Sequence, residues 1–517
     1  MNRKIYAPNI HLFAFQLHKK SDEQHLLWQK CDEVFTKLNV RASSNQASEI
    51  LKLTTQLNFC QISGDQRCSL LKDATGKIFL PFEFKSDIAA NHLEIKGFAF
   101  PLQIYDSYAL WLNLRRPENE DNQKTENVDI EILGKLNPGN CLDFRDSHPF
   151  LGQTLLVTVW LTDEQKQSQN QKYLQELADQ CLEELIPQAS QRPSLGRTGQ
   201  LFDSPIFEYG LFSQISNYCH VLVWLFRQEE TDKKFVQCSQ NQLLLDLFFY
   251  RTKVIKAYED SRYLHQEIER SYSDIEMMIN AADRPQAQDE RLSERELAAL
   301  KKQLKKLPQT ALQYANLLRI LEEYSNTISI NTYDYENKLQ QIKKIYPDDD
   351  FDFLEIFAKT NSPYFQQQIR ADINYFIHGE GLLEKKITSI RGTVEIEQAE
   401  RDRLRDEREK QRDLQLQLWV GAVGFGLAVS GITSQVEPRP LEAICSQLPS
   451  IKSICSQLPL KGMQPNNSTN NLVYTSINVV FHIVIGLIFG VVAYFLLRLI
   501  FQGQLRGRGN NSANSGN

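Results

Sequence analysis

The chain has 517 residues, of which 42% are apolar and 24% charged, and its formal net charge is −6. This composition excludes a disordered chain, and the acidic balance excludes a general nucleic-acid binder, which needs a basic face for phosphates. The length leaves room for two or more domains.

Residues 1–20 alternate apolar and polar groups without a continuous apolar core, so no leader peptide is expected. Residues 10–16 read as a strand and 25–38 as an amphipathic helix. Further strands are predicted near 79–84, 93–100, 108–114 and 128–132, and a buried one over 155–161 (LLVTVWL). A helix over 163–185 and a polar loop over 192–203, with Gly196 and Gly199, precede a last apolar strand, 220–226 (HVLVWLF). Mixed strands and helices predict an α+β domain over residues 1–237.

No phosphate loop, dinucleotide fingerprint, nucleophile elbow or zinc-protease motif is present, and no catalytic residue or organic cofactor is expected. His11, His18, His25, His92, His148 and His220 show no ligand spacing. Cys31, Cys60, Cys68, Cys141, Cys181, Cys219 and Cys238 form no CxxC pair and read as reduced cytosolic thiols.

Residues 238–413 read as a long-helix and stalk region resembling a coiled coil. Leu247, Tyr250, Val254, Ala257, Ser261, Leu264, Ile268, Ser271, Ile275 and Met278 follow a heptad seam. A second seam runs Leu297, Leu300, Leu304, Leu307, Ala311, Tyr314, Leu318, Leu321. Pro308 is expected to kink or restart that helix. The two seams are predicted to pack antiparallel.

An acidic run comes after Pro347. Asp348, Asp349, Asp350 and Asp352 suit either the start of a helix or a Mg²⁺ or other divalent-cation site, but the glycine of an EF-hand loop is missing. From about Pro363 a third helix carries Leu383, Ile387, Ile390 and Val394, then a charged stretch over 395–413 with partial i,i+4 pairing such as Glu397–Arg401. No turn signal separates this stalk from the apolar stretch after it, so one continuous helix is expected.

Residues 416–433 (LQLWVGAVGFGLAVSGIT) and 477–501 (INVVFHIVIGLIFGVVAYFLLRLIF) are the two span candidates. They give roughly 27 and 36 Å of helix against a hydrocarbon core of about 30 Å. Arg401, Arg403, Arg405, Arg408, Lys410 and Arg412 precede the first, and Arg506 and Arg508 come after the second. The loop over 436–476 has only Arg439, Lys452 and Lys461. Positive flanks stay inside, which places both termini in the cytosol. The spans are assigned to 414–435 and 477–501, with a disordered cytosolic tail over 502–517.

Gly421, Ala422, Gly424, Gly426 and Ser430, with Gly486 and Gly490 on the second span, are spaced for close helix packing or a pore face. His482 lies inside the second span, at an interface or on an ion path. The loop repeats Ile-Cys-Ser-Gln-Leu-Pro at 444–449 and 454–459, which is compatible with a Cys445–Cys455 disulfide outside the cytosol. Asn466 and Asn467 fit a glycosylation acceptor pattern.

A mixed N-terminal domain, long helices, and a charged stalk running into the first of two C-terminal spans resemble the CorA superfamily of divalent-cation transporters. The resemblance implies a homo-oligomer, a pentamer in that family, with residues 416–433 lining a pore. The family's Gly-Met-Asn signature is absent: the first span closes Ser430-Gly-Ile-Thr-Ser-Gln435, and Gly462-Met463-Gln464 falls in the loop. The likeness is therefore architectural and extends to divergent relatives that resemble membrane effectors of bacterial defence. The expectation is a two-span protein of a bacterial inner membrane, either a channel, transporter or membrane effector gated by its cytosolic domain, or a membrane-anchored sensor or scaffold without a pore.

Overall fold

The computed structural model describes residues 3–18, 26–41, 49–59, 67–71, 78–88, 91–145, 150–167, 170–212, 218–282, 292–436 and 468–512. The chain divides into two compact units. One comprises residues 1–286 and 302–388, the other residues 287–301 and 389–517.

The first unit is built on one mixed sheet of ten strands. The strands are β1 (Lys4–Leu17), β2 (Arg67–Ser69), β3 (Leu80–Ile88), β4 (Asn91–Ile104), β5 (Ser107–Arg115), β8 (Val128–Asp129), β9 (Phe150–Trp160), β10 (Leu195–Leu201), β11 (Ser204–Tyr209) and β12 (His220–Phe226); the short strands β6 (Asn119–Glu120) and β7 (Gln123–Lys124) pair only with each other. The order is β10-β11-β12-β9-β1-β5-β4-β2, with β3 beside β2 on β4 and β8 on the end of β1. Among the described residues only β9 and β12 pair in parallel, His220 opposite Thr154 through Phe226 opposite Trp160.

Alternation sends the two sets of side chains to opposite faces. Ile10, Leu12 and Ala14 of β1, Leu155, Val157 and Val159 of β9, and Val221, Val223 and Leu225 of β12 join one core with helices α1 (Leu26–Lys37), α2 (Ile132–Lys135) and α4 (Gln171–Leu185). The other face is aromatic and polar. Phe13 meets Phe248 with ring centroids 5.0 Å apart, Phe15 meets Phe249 at 5.5 Å, and His11 meets Phe235 at 5.2 Å. Helices α5 (Glu229–Gln240) and α6 (Leu243–Ala282) cover this face. The sheet thus shares its core with the first long helix, and the boundary expected at residue 237 falls inside one unit rather than between two.

Three sequence readings are corrected here. Residues 192–203 hold β10, whose pairing with β11 supplies the backbone partners that a polar loop would have sought in water. Residues 128–132 give only the two-residue β8 before α2 begins. The helix over 163–185 is split into α3 (Asp163–Lys166), fixed by a Thr162–Gln165 capping box, and α4, capped afresh by Asn170.

Three long helices complete this unit: α6, most of α7 (Glu294–Ile345) and the start of α9 (Ser362–Val436), which continues from α8 (Asp352–Ile356) through a π-helical turn, Phe357–Asn361. Pro308 lies inside α7 without restarting it. Lys338 pairs with Asp246 at 3.0 Å, near the end of one helix and the start of the other, so α6 and α7 run antiparallel as the seams require. Tyr258 stacks on Phe365 at 4.1 Å, Tyr314 donates to the Phe376 carbonyl at 2.7 Å, and His265 lies 3.4 Å from Asp372. In the α6 seam Ser271 is only half-buried and Met278 exposed.

In the second unit, Arg401 donates to Glu397 at 3.0 Å and to the Leu292 carbonyl at 2.7 Å. The apolar end of α9 and helix α10 (Ser468–Ser512) lie here. Among the described residues two helical runs are long and apolar enough to cross a membrane, the 84-residue run Asp352–Gln435 and the 26-residue stretch Thr475–Ile500. Helix α10 begins inside the expected loop and continues to Ser512, so residues 502–512 are helical rather than disordered. Each residue added to an existing helix gains a backbone bond without a new nucleation cost. Cys445 and Cys455 and the repeats around them lie outside the described residues.

Candidate functional site

Within the second unit, the glycines singled out by spacing separate into two sets. Gly426 and Gly486 face each other so closely that a Cβ on Gly426 would stand 2.6 Å from the Gly486 carbonyl oxygen; one on Gly490 would stand 3.1 Å from the Ala422 oxygen. Ser430 meets Gly486, its Cβ 3.0 Å from where a Gly486 side chain would begin. Trp419 and Tyr494 pair at 5.1 Å at one end of this contact, and Thr433 and His482 share a 3.1 Å hydrogen bond at the other. The order of contacts makes the two helices antiparallel. A Cβ on Gly424 would have nothing within 4 Å and one on Gly421 only Leu497 at 3.8 Å, so these two lie off the contact.

The acidic run does not converge on a cation. Asp349 is held by Lys234 at 2.7 Å, and an Asp350 oxygen accepts the Asp352 amide at 2.8 Å just where α8 starts. Among the described residues no three His, Cys, Asp or Glu side chains group as a metal ion would require. The physical reason is charge compensation: a lysine already neutralises the most enclosed carboxylate of the run.

The sheet unit contains a buried ionic cluster that residue spacing alone does not disclose. Glu208 of β11 accepts from Arg197 Nε at 2.9 Å and from Arg251 Nη2 at 2.7 Å, with His220 Nε2 3.2 Å away. Arg251 also donates to Tyr218 Oη at 2.6 Å, and Thr154 Oγ1 lies 2.8 Å from His220 Nδ1. Burial would raise the Glu208 carboxyl, but the bond to His220 and the charges of Arg251 and Arg197 outweigh it and hold it far below the carboxylate range. Burial, reinforced by Arg251, pushes His220 down to about 4. Arg251 packs over the Phe357 ring at 5.1 Å and Arg197 over Phe353 at 4.3 Å. The cluster therefore joins β10, β11, β12 and α6 to the turn that opens the 84-residue helical run.

A polar cleft of about 830 Å³ opens where the parallel strands β9 and β12 end, the usual ligand position in sheets with parallel strands. Its wall includes Lys4, Lys124, Lys166, Glu118, Asp232 and Trp160. Trp160 Nε1 donates to Glu118 at 3.2 Å, and burial, then the Glu118 charge, raises the Asp232 carboxyl to about 6. The buried thiols have no such poise. Burial lifts Cys181 and Cys238 to about 12, and Cys141 and Cys219 to about 11, which leaves them protonated and unreactive.

The fold and these sites define a class: a mixed-sheet body with long helices and two span-length apolar helices. Comparison with protein-family models, with curated proteins and with solved structures finds no match.

Proposed function

We propose that the chain is an integral membrane protein whose two apolar helices form a transmembrane hairpin, and that it assembles into a CorA-like homo-oligomeric ion channel, transporter or membrane effector gated by its cytosolic sheet domain. The observation that supports this is the 84-residue helical run, which starts at the turn under Arg251 and ends as an apolar segment close-packed through glycine. A helix without a break transmits displacement along its axis, which a flexible linker would dissipate. Both termini lie in the cytosol on this reading, with the lysine- and arginine-rich flanks inside a bacterial inner membrane. The test is the oligomeric state of the full-length protein in detergent, with ion flux in liposomes. A ring with flux is expected; a monomer without flux would overturn the channel reading.

The polar cleft favours a second reading, a membrane-anchored sensor or scaffold without a pore. It predicts a ring-free protein that still binds its ligand when the hairpin is deleted.

A further inference from the structure

Beside the Gly426–Gly486 contact runs an apolar groove of about 400 Å³, within the size range of small-ligand sites, about 300–1,000 Å³. Ala422, Gly426, Gly486 and Gly490 make its floor, because helices that touch through backbone leave no side chains to fill the valley between them. Leu427, Leu487 and Val491 stand as its walls. It extends from Ile483 to Phe495 along α10, roughly 18 Å at the helical rise. That matches one leaflet, half of a hydrocarbon core of about 30 Å, and falls short of a full span. Its mouth is the Trp419–Tyr494 pair, amphipathic rings of the kind that sit at headgroup level. Arg498 lies one turn beyond Tyr494 and Arg412 two turns beyond Trp419, both exposed.

We propose that this groove takes one acyl chain of an anionic phospholipid, with its phosphate held outside the aromatic mouth by Arg498 and Arg412. This rests on the membrane reading above. A helix from a second copy is the competing occupant, but it would run along the whole span rather than one leaflet's depth. Charge separates this site from ordinary lipid contact, because a groove filled by bulk lipid has no preference for headgroup.

Fluorescence reads the site directly. Of the five tryptophans, Trp28, Trp111, Trp160 and Trp224 are buried in the sheet unit and only Trp419 is exposed. The full-length protein is reconstituted in vesicles containing brominated phosphatidylglycerol or brominated phosphatidylcholine. Quenching of Trp419 is expected to saturate at about thirtyfold lower mole fraction for phosphatidylglycerol, the factor given by the ~1 kcal/mol that each of the two basic side chains supplies near an anionic surface. R498Q should cut that preference to about fivefold, the share of Arg412, and V491F, which fills the groove at its rim, should make quenching by the two lipids equal. Equal quenching of the unaltered protein would overturn the proposal while leaving the membrane reading intact. Absence of quenching, with a V491C disulfide forming between chains, would assign the groove to a second copy. Release of the protein by carbonate would instead remove the membrane reading itself.

Discussion

Trp224 in the sheet is 1% exposed and Trp419 in the second unit 60% exposed, although both sit in strongly apolar sequence. The same contrast runs through each unit. The sheet buries almost every large apolar residue of β1, β9 and β12 between two helical layers, whereas only 11% and 22% of the two span-length windows are buried. The first unit is stabilised by removing apolar area from water, at about 25 cal/mol per Å². The second buries little of its apolar surface and is held by close backbone approach through Gly426, Gly486 and Gly490. Polar groups obey the same division. The sheet unit encloses an ionic cluster around Glu208, and the helix pair keeps its polar partners, Thr433 and His482, at one end.

The contrast breaks most severely at Glu208. In E208A the buried Arg251 guanidinium and the half-buried Arg197 lose their carboxylate, and a loss of about 3–5 kcal/mol is expected in urea unfolding of the full-length protein. A smaller loss would mean that water enters the cluster. His220 sharpens the same point through pH. Its folded-state value of about 4 lies below the ordinary 6.5, so the unfolded chain binds the extra proton and stability falls as pH drops from 6.5 to 4. H220Q should flatten that fall by on the order of 3 kcal/mol; His11, held at about 3, and Glu208, held far below the carboxylate range, keep part of the slope as pH falls further. Asp232 has the opposite sign: its raised value costs stability as pH climbs from 3.8 to about 6, so D232N should raise the melting temperature at pH 7 and leave it unchanged at pH 4.

In the second unit G426L should prise the helices apart, at about 1–3 kcal/mol for overpacking, and abolish a W419C–Y494C cross-link. G424L, in open space, should leave that cross-link intact. The smallest effect is expected from Y314F, about 1 kcal/mol for the lost bond to the Phe376 carbonyl, read by thermal unfolding.

Much of this was legible in residue order. Periodicity located β1, β9, β12 and the α6 and α7 seams, because burial imposes a period on whichever side chains must face a core. Small-residue spacing found Gly426, Ser430, Gly486 and Gly490, but could not tell them from Gly421 and Gly424, since the contact face depends on where the partner helix lies. Strand β10 was hidden because Gly196 and Gly199 read as loop; there they permit close approach, with Phe353 packed 2.7 Å from where a Gly199 side chain would begin. The Glu208 cluster was invisible because its members come from four separate segments, and a lone Glu or His in a strand carries no spacing. The acidic run misled for the reverse reason: proximity in sequence suggested a joint role, while Lys234, more than a hundred residues away, claims Asp349.

The π-helical turn at Phe357–Asn361 has a consequence of its own for helical phase. Widening one turn inserts an extra residue and rotates the rest of the helix by about 100° about the axis. Phe353 before it and Phe357 at its start face the arginines; downstream Phe365, Ile369 and Phe376 face inward on a differently phased stripe. Removing a single residue there would restore an ordinary screw and turn the stripe of Phe365, Ile369 and Phe376 out of register with its own core.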